Sequence, residues 1–284
     1  MRHCAVRRDQ LPPHATHTFV LRDYKIVYVS TPKVACTSLK WMVAGIGGED
    51  PQVFLDAARP GTESAIHVHR LWQKVPTLHE MSDGDLAGID GDKGWHVFAM
   101  VRHPAARLWS AWQEKLLLRI PRMLDKTPAR LVPALPKSTA DVVRSFQRFV
   151  SALVAGECPA LMRDPHFRPQ RGVLGVRRMP YTRVYTIEEM NQMVADLDAQ
   201  VRAHGGGPVS PPKPRNETVL KPLRSIFTHE VQTMIRDVYA GDLRRWFRGE
   251  DIVPVGSPRD AEYPPDQLAK VLRLIETKQA AWAS

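Results

Sequence analysis

The sequence predicts an α/β protein with a central parallel sheet flanked by helices, and two observations support this prediction. Three strand-like runs occur, at residues 24–30, 95–102 and 183–187, and the first two have the apolar character of buried strands. Each is followed by a helix-like stretch, which is the order expected when parallel strands are joined by helices that cover both faces of a sheet. A chain of 284 residues is long enough to bury such a core.

The first strand-like run ends at a segment suited to an anion. Pro32 and Lys33 follow the run, and Thr37 and Ser38 then open an amphipathic stretch. This order predicts a strand, a tight loop and a helix N-terminus, where backbone N–H groups and the helix dipole favour a bound anion. The alternative is that Thr37 or Ser38 merely caps the helix. The segment does not match a Walker A loop, because it has no glycine and its lysine precedes the turn.

The second strand-like run ends in a similar way at Arg102. Pro104 stands where the first turn of a helix is expected. One face of that helix is predicted to be apolar, through Leu108, Trp112 and Leu116. Another face carries Arg107, Ser110 and Glu114 at three- and four-residue spacing. Arg102 and Ser110 are candidates for a second anion site, and a solvated end charge is the alternative for Arg102.

Together the two segments resemble sulfotransferases that use 3′-phosphoadenosine 5′-phosphosulfate (PAPS), specifically the carbohydrate sulfotransferase type 2 family. Residues 32–40 match its P-K-V-A-C-T-x-x-K stretch, and residues 102–111 match its R-x-P-x-x-R-L-x-S-A stretch. His103 stands where the family often has an acidic residue, which should alter local charge rather than remove the site. The resemblance spans about residues 24–248, with supporting likeness at 164–170, 183–190, 216–218 and 238–243.

The resemblance implies a P-loop-like sulfotransferase fold and sulfuryl transfer from PAPS to an acceptor hydroxyl, with no metal. Lys33 is the candidate to stabilise the bridging oxygen of the leaving phosphate. Arg102 and Ser110 would bind the 3′-phosphate, and Asn216 would approach the nucleotide from a later loop. The residues implied for the 5′-phosphosulfate are Pro32, Lys33, Val34, Ala35, Cys36, Thr37 and Ser38.

The general base is predicted among three histidines. An imidazole with a pKa of about 6.5 suits proton abstraction at neutral pH. His67 aligns best with the place where related enzymes often have a histidine, His69 aligns second, and His166 lies in a segment similar to the family's H-W-x-P-Q element. Because the chain has 11 histidines, a surface or hydrogen-bonded role is the alternative for each. The His67-x-His69 pair could also bind a metal, but no third ligand stands nearby.

We expect one sulfotransferase domain over residues 1–284. Residues 24–248 would form its core, and residues 1–23 and the helical segment 257–284 would be peripheral.

Four further segments have their own expectations. Helical stripes of apolar residues occur at 141–155 and 265–281. Residues 120–137 contain four prolines and are typical of an irregular crossing loop, which would serve as a lid, an acceptor wall or a passive surface loop. Residues 204–215 are rich in Gly and Pro, so composition favours a domain linker, whereas the family pattern makes them a loop that leads towards the nucleotide.

Composition predicts a soluble, cytoplasmic protein. The hydrophobic and charged fractions, 43% and 25%, are those of a globular domain, and no apolar run approaches the roughly 20 residues that span a bilayer. The first residues lack the apolar centre of a signal peptide. The three cysteines, Cys4, Cys36 and Cys158, are too scattered for a disulfide framework. Because animal members of the family are typically anchored in the Golgi, the chain looks more like a bacterial form.

The net charge of +10 favours an anionic partner. The charge is spread along the chain without a lysine/arginine block or a nucleic-acid-binding module, so an anionic nucleotide explains it better than nucleic acid. Peripheral contact with acidic lipid headgroups is compatible with the same charge. The resemblance favours a sugar hydroxyl as acceptor, on a glycan, a glycolipid or a glycosylated metabolite.

Two other functions compete with sulfuryl transfer. One is a catalytically silent nucleotide-binding or scaffold protein of the same fold, against which Lys33 and the histidines argue. The other is a small-molecule kinase of the P-loop type, which the missing glycines and the lack of an acidic strand end disfavour.

Overall fold

In a computed structural model, the chain is described at residues 6–58, 64–215, 218–248 and 261–283. It forms two compact units. Unit 1 comprises Met1–Arg102 and Gln170–Asn216, and unit 2 comprises His103–Pro169 and Glu217–Ser284. The single-domain organisation stays a prediction.

Unit 1 is built on a mixed sheet with the strand order β1-β2-β3-β4. The strands are β1 (Thr18–Leu21), β2 (Ile26–Val29), β3 (His96–Val101) and β4 (Arg183–Thr186). The last three are parallel and lie within the three predicted runs, so this part of the prediction is confirmed. However, β1 pairs antiparallel with β2. Because only a single 3₁₀ turn joins these two strands, ending at Lys25 with a φ of 50°, the chain has to reverse its direction there.

The described α-helices, in chain order, are α1 (Cys36–Ile46), α2 (Pro51–Asp56), α3 (Asp83–Gly88), α4 (Pro104–Trp112), α5 (Pro121–Leu124), α6 (Thr139–Val154), α7 (Pro159–Arg163), α8 (Gln170–Leu174), α9 (Met190–Ala203), α10 (His229–Trp246) and α11 (Pro265–Ala283). A π-helical turn, Gln113–Leu117, continues α4. None of the described helices is both long and apolar enough to cross a membrane.

Helices α1 and α9 pack against one face of the sheet in unit 1. That face presents large side chains from all four strands, namely Phe19, Leu21, Ile26, Tyr28, Phe98, Met100 and Tyr185. Leu39 and Val43 come from α1, and Met193 and Leu197 come from α9. All residues of β1 and β2 are buried, which explains why β2 is a continuous apolar run in the sequence.

Unit 2 packs its helices around an aromatic core. The rings of Trp109 and Trp112 stack at 5.3 Å, and the ring of Phe146 meets that of Trp109 edge-on at 4.9 Å. Ser138 and Asp141 form a capping box that begins α6. The predicted stripe of this helix is confirmed as core, since its residues Val142, Phe146, Phe149 and Leu153 are all buried.

Residues 120–137 and the C-terminal helix, both in unit 2, contribute side chains to the same aromatic core. Within residues 120–137, α5 and a 3₁₀ turn bury Met123 and Leu131. The predicted C-terminal helix is present as α11, and its Val271 and Ile275 also belong to the core. Both segments therefore contribute apolar contacts to unit 2.

Phe146→Ala is expected to lower the free energy of unfolding by about 3–5 kcal/mol, because it opens a cavity among packed aromatic rings. Urea denaturation followed by tryptophan fluorescence measures this loss. Val154→Ala is the matched control on the same helix, since Val154 is 44% exposed and should change stability by less than about 0.5 kcal/mol. Equal losses in the two variants would contradict the packing.

Candidate active site

The loop between β2 and α1 contains two non-glycine residues in the left-handed region. Lys33 has a φ of 67° and Ala35 a φ of 49°. Such residues cost roughly 1–3 kcal/mol each and occur most often at ligand-binding sites. Lys33 is half-buried at the turn, and Ala35 is the N-cap residue of α1. The strand, loop and helix predicted from the sequence are therefore present.

The N-cap residue of α1 is an alanine. Ala35 has no polar side chain and makes no side-chain cap hydrogen bond to the first N–H groups of the helix. Thr37 and Ser38 lie inside the helix and are buried, so the alternative that one of them is the N-cap is wrong. A helix leaves its first N–H groups without intrahelical acceptors, and these groups together with the helix dipole attract an anion.

His67 contacts α1 from a 3₁₀ turn, Ser64–His67. Its Nε2 lies 3.0 Å from Thr37 Oγ1, and its Nδ1 lies 3.1 Å from Lys40 Nζ. Lys40 is 2% exposed, and burial lowers its pKa to about 8, an effect that the Cys36 thiol partly offsets. The structure therefore places His67 against the first turns of α1.

Lys40 is a functional candidate that the sequence reasoning missed. Its ammonium also lies 3.4 Å from His17 Nδ1 and 5.2 Å from the centre of the Phe19 ring. The available signal was the three-residue spacing from Thr37, which places both side chains on one face of a helix. His69, in contrast, lies in the next 3₁₀ turn and is exposed.

Arg102 follows β3 at the same edge of the sheet as the anion loop. Val29 of β2 pairs with Ala99 of the parallel strand β3, so both strands end at this edge. Burial lowers the pKa of Arg102, and Glu188 opposes this shift. The loop that holds Lys33 and the residue Arg102 therefore follow neighbouring parallel strands at the same edge of the sheet. In α/β proteins, ligands usually bind at this edge.

Gln170 holds the backbone of Arg102 with both ends of its amide. Its Oε1 accepts from the Arg102 N–H at 3.0 Å, and its Nε2 donates to the Arg102 carbonyl at 2.8 Å. The Gln170 side chain is fully buried. It is the last residue of the 164–170 segment, for which the sequence suggested only a family likeness and no role.

Ser110 lies on α4 in unit 2 and is 6% exposed. Its Oγ is 3.4 Å from Thr218 Oγ1. Arg107, on the same helix, donates to the carbonyls of Pro165 and Arg168 and so fixes the backbone around His166. Asn216 lies outside the described residues.

His103 is the N-cap residue of α4. Its Nδ1 accepts a hydrogen bond from the Ala105 N–H at 3.3 Å. An acidic side chain often performs this capping task at a helix N-terminus. The departure from the family pattern at this position therefore leaves the helix capped.

His166 forms a buried pair with Asp164 in unit 2. Asp164 Oδ1 lies 2.7 Å from His166 Nδ1, and Asp164 Oδ2 accepts from Lys126 Nζ at 3.0 Å. Burial, followed by the Lys115 charge, lowers the pKa of His166 to about 4 against the opposing effect of the Asp164 carboxylate. Burial opposes ionisation of Asp164, but the hydrogen bonds from His166 and Lys126 outweigh it and hold its pKa below the usual range. His166 is therefore neutral at pH 7.

The site in unit 1 is typical of a protein that binds a phosphate-like anion at the carboxyl ends of parallel strands. Within the ranges that the structure describes, no group of three His, Cys, Asp or Glu residues is placed to hold a metal ion.

Comparison with known proteins specifies the class. Residues 16–245 match the model of the Sulfotransferase family, and the chain belongs to that family. It is therefore a transferase of the class that moves sulfuryl groups, and such enzymes generally use PAPS as donor. No curated protein and no solved structure matches the chain.

Gln170→Leu is expected to lower the free energy of unfolding by about 2–4 kcal/mol, because it leaves the Arg102 N–H and carbonyl without their buried partner. Chemical denaturation measures the change. Gln192→Leu is the control, since Gln192 is exposed on α9. If the two variants lose the same stability, Gln170 does not hold Arg102 in place.

The stability of the protein is expected to fall as the pH decreases from 6.5 to 4. The pKa of His166 is about 4 in the folded protein and about 6.5 in the unfolded chain, so the unfolded state binds more protons in this window. The stabilisation is complete above pH 6.5, and on the order of 2–3 kcal/mol is lost at pH 4. Denaturation at a series of pH values measures the slope, which His166→Gln should flatten. An unchanged slope in this variant would assign the pH dependence to other groups.

Proposed function

We propose that the protein transfers a sulfuryl group from PAPS to an acceptor hydroxyl. One observation carries the proposal: in a member of the Sulfotransferase family, a helix whose N-cap residue is alanine follows a strained loop that holds Lys33. The family supplies the class of reaction. The loop supplies a place where the 5′-phosphosulfate of that donor fits.

The first turn of α1 would bind the 5′-phosphate. Thr37 and Ser38 offer hydroxyl donors, the backbone of residues 34–38 offers N–H donors, and the dipole of α1 favours the negative charge. Buried donors that are already oriented stabilise charge more strongly than donors in water. Binding here would fix the phosphosulfate for an in-line attack by the acceptor oxygen.

Lys33 would stabilise the leaving group. As the acceptor oxygen bonds to sulfur, the bond between sulfur and the bridging oxygen breaks, and that oxygen keeps the electron pair. The ammonium of Lys33 can neutralise the charge that develops there. Its position at the turn between β2 and α1 supports this role.

Arg102 would bind the 3′-phosphate, which distinguishes PAPS from ordinary adenine nucleotides. Its backbone is held by Gln170, and it lies at the same sheet edge as the anion loop. A guanidinium suits a phosphate because its planar fork can donate two hydrogen bonds to it. The predicted roles of Ser110 and Asn216 at this phosphate stay predictions.

The acceptor hydroxyl must lose a proton, and the local arrangements of the three histidines differ. Both ring nitrogens of His67 contact α1, at Thr37 and Lys40, whereas His69 is exposed. Asp164 Oδ1 accepts a hydrogen bond from the Nδ1–H of His166, which leaves Nε2 as the basic nitrogen in unit 2. His67, His69 and His166 stay the three candidates for the general base.

The acceptor is proposed to be a sugar hydroxyl on a glycan, a glycolipid or a glycosylated metabolite, on the strength of the family resemblance alone. Cytoplasmic location, bacterial origin and peripheral membrane contact stay predictions from the sequence.

Nucleotide preference tests the donor. Calorimetric titration with 3′,5′-adenosine bisphosphate (PAP), AMP and ATP is expected to give at least about tenfold tighter binding of PAP than of AMP, because only PAP carries the 3′-phosphate. Arg102→Ala should remove most of this preference. Tighter binding of ATP than of PAP would favour the kinase alternative and contradict the proposal.

Lys33→Ala is expected to reduce sulfuryl transfer by about 100- to 1,000-fold while the affinity for PAP changes only a few-fold, because the charge on the bridging oxygen develops in the transition state. Transfer is measured with labelled PAPS and a panel of sugar acceptors. Lys25→Ala is the matched control, since Lys25 is also left-handed but stands at the other end of β2. Full activity in Lys33→Ala would exclude Lys33 from the reaction.

A further inference from the structure

We propose that a cavity beside α6 binds the tetrahedral oxyanion of a phosphate or sulfate group, held by Arg144, Ser145 and Arg148. These residues belong to unit 2, whereas the loop that holds Lys33 belongs to unit 1. The inference therefore goes beyond the proposed function and adds a further anion site to the protein.

The cavity lies between α6 and the loop that precedes this helix. It measures about 380 Å³ and is lined by Ala134, Asp141, Arg144, Ser145 and Arg148. The last four residues stand at positions i, i+3, i+4 and i+7, so they share one face of α6. Ligand sites usually measure roughly 300–1,000 Å³, so the cavity has room for a small phosphate ester as well as for the bare ion.

The loop side of the cavity is held in place by the rest of unit 2. Arg119 donates to the carbonyl of Pro133 at 2.9 Å, and Leu131 is buried in the aromatic core. Pro136 is buried as well. Ala134 therefore stands on a short segment that is fixed on both sides, and a ligand would find this wall already formed.

Asp141 lines the cavity, but its carboxylate is already satisfied. Its Oδ2 accepts from the N–H groups of Lys137 and Ser138 and from the Ser138 hydroxyl. Its Oδ1 accepts from the guanidinium of Arg144 at 2.7 Å. Because two guanidiniums face one carboxylate, the lining keeps an excess of positive charge.

Arg148 supplies the charge that the protein does not offset. It stands one turn after Arg144, both residues are exposed, and like charges four residues apart on a helix repel one another. Arg144 pairs with Asp141, whereas Arg148 forms no salt bridge with any residue that the structure describes. An anion shared by the two guanidiniums would replace this repulsion by two charge-assisted hydrogen bonds.

Ser145 is an independent sign of a ligand in the same cavity. Its side chain is 8% exposed, and its hydroxyl makes no hydrogen bond within the described parts of the chain. A buried hydroxyl normally has a partner, and a serine inside a helix often finds one in the carbonyl four residues earlier. A ligand in the cavity that Ser145 lines would provide the acceptor.

The arrangement of the donors favours a tetrahedral group. Two guanidiniums and one hydroxyl approach the cavity from three positions on successive turns of α6. The oxygens of a phosphate or sulfate group point in several directions, whereas the two oxygens of a carboxylate lie in one plane. The planar fork of each guanidinium matches a pair of these oxygens.

The alternative is that both arginines are ordinary solvated surface charges. Anions would then act only by screening, and their effect would depend on ionic strength instead of on the kind of anion. The two interpretations therefore differ in whether phosphate and acetate act alike.

NMR of the arginine Nε–H groups in the full-length protein tests the site, with inorganic phosphate as the probe. At constant ionic strength, we expect saturable shifts of the Arg144 and Arg148 signals, while the signal of Arg273, an exposed residue of α11, stays unchanged. Acetate should give much smaller shifts. Equal shifts with acetate, or shifts that do not saturate with phosphate, would overturn the inference.

Variants test the assigned donors. Arg148→Gln is expected to weaken phosphate binding about tenfold and Ser145→Ala about threefold, as measured from the Arg144 signal. Arg273→Gln is the matched control, because it removes an exposed arginine of the same unit outside the cavity. Urea denaturation checks that each variant is folded. If Arg148→Gln and Ser145→Ala both bind phosphate as tightly as Arg273→Gln does, the inference is wrong.

Two further probes distinguish the sources of the phosphate group. Saturable binding of glycerol 3-phosphate without sedimentation on vesicles would assign a soluble ester to the site. Sedimentation with vesicles of phosphatidic acid and phosphatidylcholine, but not of phosphatidylcholine alone, would assign a lipid headgroup if Arg148→Gln abolishes it. Either result supports the site, and a failure of inorganic phosphate, glycerol 3-phosphate and the vesicles alike would contradict it.

Discussion

The site depends on how the chain enters α1. Two non-glycine residues, Lys33 and Ala35, adopt left-handed conformations between β2 and α1, and Ala35, the N-cap residue, makes no side-chain cap hydrogen bond. A conformation of this cost persists only when the surrounding structure enforces it. Here the buried strand β2 and the buried face of α1 fix both ends of the loop. The sheet therefore stabilises a helix N-terminus that an anion, instead of a side chain, can complete.

Buried polar side chains orient charged groups and histidines within each unit. In unit 1, Gln170 holds the backbone of Arg102 and Lys40 contacts His67. In unit 2, Asp164 contacts His166. Each pair costs desolvation, which strong hydrogen bonding must offset, and each orients a group that could act on a ligand. A site whose groups are held in place before the ligand binds is expected to lose some folding stability in this way.

The sequence predicted those parts of the protein whose signals are local. β2 and β3 are almost continuous apolar runs, β4 is a shorter strand-like segment, and Pro104 marks the start of α4. The short β1 was missed because four residues give too weak a pattern, and its antiparallel direction follows from the turn at Lys25. The contact of Gln170 with Arg102 and that of Lys40 with His67 join residues 68 and 27 positions apart, so a local pattern does not predict these partners. The left-handed loop was also hidden, since glycine and asparagine are its usual markers and neither is present.

The central claim is that the loop and the first turn of α1 bind the 5′-phosphate of the donor. A crystal structure of the complex with PAP tests it most directly. The account predicts 5′-phosphate oxygens within hydrogen-bonding distance of the N–H groups of residues 34–38 and of the Thr37 and Ser38 hydroxyls, with Lys33 Nζ beside the oxygen that would bridge to sulfur. A bound nucleotide whose 5′-phosphate lies away from the start of α1 would contradict the account.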